Sequence, residues 1–157
     1  MTLRPLDLSD AVEIQRAVLD CPPLTLHTPY TYWVILTAGS GLCFGSWDDG
    51  QLAGFLLVVP SRDDSAFAWQ IGVRPQFRRR GVSQTLLASA WQAARKAGFQ
   101  SMDVTITASN SESFDAFASF ADAHGLNLRE AGEATCQGPD GSITDNEILF
   151  RLAPDPH

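Results

Sequence analysis

The sequence predicts a mixed α/β fold, and three observations carry that expectation. Runs with strand-like alternation and runs with helical spacing follow one another along the whole chain. Three strand-like runs are consecutive between Leu42 and Val73, which calls for an antiparallel half of a sheet. A strand–helix–strand unit from Ala66 to Thr107 adds a parallel step. The 157 residues, 45% hydrophobic and 18% charged, suit one domain spanning residues 1–157.

Each element has a local reason. Leu3-Arg4-Pro5 reads as a short first strand. Leu8, Ala11, Val12, Ile14, Ala17 and Val18 recur at helical spacing, Asp7 or Ser9 can cap them, and Cys21-Pro22-Pro23 ends the helix. A second helix runs Pro29 to Ala38, with Thr28 as N-cap and proline at its first position. Leu42 to Trp47 and Leu52 to Val59 flank Asp48-Asp49-Gly50, a hairpin signal. After the polar loop Pro60 to Ser65, Ala66 to Val73 is the next strand. Gly81 to Gly98 is a helix with Leu86, Leu87, Ala90, Ala93, Ala94 and Ala97 on one side, and Gly98 stops it. Ser101 to Thr107 is a strand. Asn110 to His124 is a helix expected to turn Phe114, Phe117, Ala118 and Ala121 inward, with His124 structural at its end. Leu126 to Cys136 and Ile143 to Leu152 are the last strands, and Ala153 to His157 read as a fraying tail.

Composition excludes several classes. A net charge of −7 argues against general nucleic-acid binding. No apolar run reaches membrane-spanning length, and MTLRPLDLSD carries acid and proline where a secretory leader has an apolar core, so the expected location is cytoplasmic. Cys21, Cys43 and Cys136 lack metal-site spacing; they read as reduced structural thiols, and no metal is expected.

The chemistry centres on FAWQIGVRPQFRRRGVSQTLL, Phe67 to Leu87. A strand stops at Val73, Arg78, Arg79, Arg80 and Gly81 form a basic turn, and a helix begins. Amides at such a helix start have no intrahelical partner and bind phosphate oxygens.

This motif, in this order of elements, resembles the GNAT superfamily of N-acetyltransferases. The pyrophosphate signature reads Arg78, Arg79-Arg80, Gly81, Val82, Ser83, with Ser83 replacing a glycine or alanine. The resemblance implies a sheet splayed between its fourth and fifth strands and acetyl-CoA as co-substrate in the split. It places the pantetheine arm along Ile71, Gly72 and Val73, the pyrophosphate on amides from Arg79 to Ser83, and Asn110 against the cofactor arm. Phe117 takes the position where many members carry a tyrosine that protonates the leaving thiolate. A closer resemblance, to bacterial L-2,4-diaminobutyrate acetyltransferases of ectoine biosynthesis, rests on LTLHTPYTYWVIL, FAWQIGV and TITASNSESFDAF. That family's aspartate and asparagine fall on Thr25 and His27. The expected acceptor site therefore comprises Thr25, His27, Tyr30, Trp69 and Glu147.

The implied reaction is direct acetyl transfer to a small amine. Glu147, a carboxylate amid apolar neighbours on the last strand, is the candidate base. A backbone N–H near Val73 is the candidate oxyanion donor. The rival readings are another small amine, a non-catalytic acyl-CoA sensor, and protein N-terminal acetylation, which the long Cys21–Ala38 segment disfavours by covering the site. Trp33, Val34 and Ile35 read either as core or as a homodimer face.

Overall fold

The computed structural model describes residues 1–156; His157, the last residue of the expected tail, lies outside them. Seven strands form a single sheet: β1 (Thr2–Pro5), β2 (Phe44–Asp48), β3 (Gln51–Pro60), β4 (Ser65–Val73), β5 (Ser101–Ile106), β6 (Leu126–Gln137) and β7 (Ile143–Pro154). Their spatial order is β1-β2-β3-β4-β5-β7-β6. Every neighbouring pair is antiparallel except β4 and β5. The parallel step is the expected one, because the helix between those strands carries the chain back across the sheet. Among the described residues no helix is long and apolar enough to cross a membrane.

Four helices cover the sheet: α1 (Ala11–Leu19), α2 (Pro29–Ala38), α3 (Val82–Lys96) and α4 (Ser111–Ala123). Side chains along β3 alternate between two cores. Phe55 and Leu57 pack with Ile14, Val18, Tyr32 and Leu36 on the α1–α2 face. Leu56 and Val58 pack with Leu86, Leu87, Phe117 and Phe120 on the α3–α4 face. The local signals act as expected. Asp7 caps the turn before α1, and Thr28 accepts from the Thr31 amide at the start of α2. Asp49 and Gly50, both at positive φ, make the two-residue β2–β3 turn.

Three details differ from the sequence reading. Phe114 turns outward, 39% exposed, and Phe120 takes the inward place on α4. Trp33 and Val34 are exposed while Ile35 packs against the core, so α2 divides a run that reads as uniformly apolar. The tail is ordered further than expected: Ala153 and Pro154 pair with Asn127 and Leu126, and Asp155 accepts from the Asn127 side chain at 2.8 Å.

The feature that positions the site is a bulge at Trp69. Gln70 pairs with Leu57 and Ala68 with Val58, which leaves Trp69 as the extra residue. A bulge bends its strand and raises its twist. The β4–β5 pairing ends at Ala68 and Val104, and β4 runs on to Val73 without it. The sheet therefore opens between β4 and β5.

Candidate active site

The open edge of β4 supplies free backbone groups. The Arg74 amide donates to the Ala53 carbonyl at 2.9 Å, and Val73 lies opposite Gly54. Antiparallel alternation then turns the N–H and C=O groups of Val73 and Ile71 away from β3, into the split. Arg78 reaches back and donates from Nε to the Val73 carbonyl oxygen at 3.1 Å. The Val73 N–H keeps its aim into the opening.

Beyond β4 the chain makes a one-turn 3-10 helix, Pro75–Phe77, and then the basic turn. Arg79 and Gly81 both adopt left-handed backbone, at φ 63° and 74°. Such alternation gathers consecutive N–H groups into a concave nest. A Cβ at Gly81 would meet open space. Among the described residues no side chain caps α3, whereas Thr28 caps α2 and Asn110 caps α4. The Val82 side chain is buried in the core, Ser83 is half-buried, and the three arginines are exposed around the free amides. These residues fit a diphosphate.

Asn110 closes the other side of the split. Its Oδ1 accepts from the Ser113 amide at 3.1 Å, which leaves the amide protons for a ligand. Beside it opens a cavity of about 240 Å³ lined by Ile106, Phe114, Ile148 and Phe150, on the α3–α4 face. Phe117, expected at the cofactor, has no exposed surface and packs in the core instead.

On the α1–α2 face the bulge does something that simple alternation forbids. Trp69 and Gln70 are consecutive, yet both meet the segment between α1 and α2. The Trp69 ring lies 4.8 Å from His27 and 5.8 Å from Tyr32, centroid to centroid. The Tyr32 hydroxyl donates to Gln70 Oε1 at 3.1 Å, and Gln70 Nε2 donates to the Thr25 carbonyl at 3.1 Å. Burial pushes the Tyr32 hydroxyl above its usual pKa, so it stays a donor. Tyr30, the tyrosine expected here, does not join the cluster; it is 72% exposed and stacks on Trp33. Helical rotation separates positions 30 and 32 by about 200°, and α2 lacks a polar face that would have distinguished them. The sequence signal for Gln70 is its place in the run FAWQIGV.

Acid placement narrows the choice of base. Asp10, Glu13 and Asp103 are bonded by Arg4, Arg74 and Arg151, respectively. Glu147 is half-buried, opposite Ala134, just past the last β5–β7 pair at Ile106 and Ile148. Ile148 and Phe150 face α4, so Glu147 faces the other side, that of the aromatic cluster. No ion pair engages it among the described residues.

A residue that sequence reasoning missed is Arg74. It is 6% exposed and holds Glu13 at 3.1 Å and Asp20 at 2.9 Å, fixing both ends of α1 at the end of β4. Its only sequence signal is a position between the strand and a proline.

Comparisons with known proteins follow the same lines. The model of the acetyltransferase (GNAT) family matches residues 11–121. An L-2,4-diaminobutyric acid acetyltransferase of Streptomyces coelicolor is 31% identical, over 94% of this chain and 89% of that protein. One from Bordetella parapertussis is 28% identical, over 99% and 85%. Among solved structures, diaminobutyrate acetyltransferase EctA from Paenibacillus lautus, in complex with its substrate L-2,4-diaminobutyric acid and coenzyme A, superposes with a TM-score of 0.84. It is 24% identical and the match covers 98% of this chain and 94% of that one.

Proposed function

We propose, from the premise that the chain belongs to the acetyltransferase (GNAT) family and is an acetyl-CoA-dependent N-acetyltransferase, that its acceptor is a small primary amine of the diaminobutyrate type. The observation that carries the acceptor class is the aromatic cluster. His27 and Trp69 are the accessible members of a cluster backed by the buried Tyr32, an aromatic patch that suits a compact molecule better than an extended peptide. The relatives named above support the same class, since they are diaminobutyric acid acetyltransferases.

The roles follow from where the groups lie. Acetyl-CoA, when bound, supplies an activated thioester. The amides of Arg79 to Ser83 and the Arg78 guanidinium hold the diphosphate, and the β4 edge at Ile71 to Val73, with Asn110, aligns the arm. The Val73 N–H donates to the oxygen on which charge develops. An ammonium has no lone pair, so the amine must first lose a proton, and Glu147 is the carboxylate free to take it.

A second reading, another small amine, is favoured by one specific observation. The cluster of Thr25, His27, Tyr32, Trp69 and Gln70 contains no carboxylate to meet a second ammonium group. A panel of small amines and diamines that includes L-2,4-diaminobutyrate, with thiol release as readout, tests both. Turnover led by diaminobutyrate upholds the first; turnover led by a monoamine upholds the second; turnover with none defeats the small-amine reading.

A further inference from the structure

We infer that Gln70 is a positioning residue: it ties the segment between α1 and α2 to the open half of β4 and so sets the acceptor site. The inference about catalysis rests on the small-amine reading; the tether itself does not. Pro22–Thr28 crosses the α1–α2 face, and its contacts fall in order on β4. Leu24 sits against Gly72, where a Cβ would come within 2.9 Å of its Cδ1. Thr25 accepts from Gln70, and His27 lies on Trp69. Among the described residues the Gln70 bond is the segment's one hydrogen bond to the sheet.

That bond is built to be directional. Gln70 is 9% exposed and Tyr32 0%. The Tyr32 hydroxyl occupies the Gln70 oxygen, which forces the amide nitrogen toward Thr25. The bulge at Trp69 is what brings Gln70 to this face at all. The other edge of the same stretch, Trp69–Val73, faces the split through Ile71 and Val73. One short stretch of strand thus sets the acceptor wall on one side and the donor arm on the other.

Hydrogen exchange read by mass spectrometry tests the tether, on wild type, Gln70→Leu, Gln70→Glu and Tyr32→Phe. Glutamate keeps the acceptor for Tyr32 but cannot donate to Thr25. Exchange in the peptide that holds Leu24, whose amide donates to the Cys21 carbonyl at 2.9 Å, should rise roughly tenfold in both Gln70 variants, the scale of one lost buried hydrogen bond, and less in Tyr32→Phe. Coenzyme A affinity should stay within about twofold, while KM for the best amine of the panel rises about tenfold against an unmoved KM for acetyl-CoA. Unchanged exchange in the segment, or an equal rise across the whole chain, would overturn the inference. The exchange readout needs no turnover: a segment that loosens in a protein that acetylates none of the amines upholds the tether and removes only the acceptor assignment.

Discussion

Arg78 donates a 3.1 Å hydrogen bond from Nε to the carbonyl oxygen of Val73, five residues earlier. The bond joins the basic turn to the open edge of β4. It satisfies a carbonyl that lost its strand partner, and it holds the Arg78 side chain at the β4 edge, beside Cys21.

Arg78→Lys should therefore do more than a conservative exchange suggests. Lysine keeps the charge but lacks the planar Nε donor. We expect coenzyme A affinity to fall roughly tenfold, the scale of one hydrogen bond to a charged group. Calorimetric titration of coenzyme A against wild type and variant measures it, and equal affinities would show that the bond is incidental.

Glu147→Gln removes the free carboxylate while keeping its size. If Glu147 takes the ammonium proton, kcat with the best amine drops by about a hundredfold and coenzyme A affinity is unchanged. A fall in cofactor affinity of the same size would assign Glu147 to binding instead.

Asp10 links stability to pH. The Arg4 guanidinium, bonded to it at 2.9 and 3.0 Å, holds its carboxyl below the usual range, against an opposing effect of burial. A depressed carboxylate pKa stabilises the fold fully above the unfolded value of about 4 and loses that contribution as pH falls through the folded value. Asp10→Asn should cost about 1 kcal/mol at pH 7, kept small because Arg4 is 42% exposed. The difference should shrink steadily below about pH 4 in urea denaturation. A constant difference across that range would deny the ion pair its role.

The sequence reading and the structure agree where a signal is local. Thr28-Pro29 starts α2, Asp48-Asp49-Gly50 turns the hairpin, and Gly81 opens α3, because each of those residues acts on its own few neighbours. What the residues alone did not yield depends on partners distant in sequence. The bulge at Trp69 exists only relative to β3, and strict alternation along the strand would put Trp69 and Gln70 on opposite faces. Tyr30 and Tyr32 differ by which face of α2, a helix without a charged residue, meets the sheet. Phe120 rather than Phe114 turns inward because the buried face of α4 is set by its packing on β6 and α3, which leaves Phe114 at the helix edge with its ring 5.3 Å from Phe150. The opening between β4 and β5 was available only by resemblance, since nothing in either strand marks where pairing will stop.

The central claim is that the uncapped start of α3, beside the split, is the seat of the cofactor. Gly81, at φ 74° with open space where a side chain would stand, is its most exposed test. Gly81→Val strains a left-handed position and fills the nest, while touching no packed neighbour. Calorimetric titration with coenzyme A should show affinity lost by about a hundredfold or more in the folded variant. Affinity equal to wild type would contradict the account.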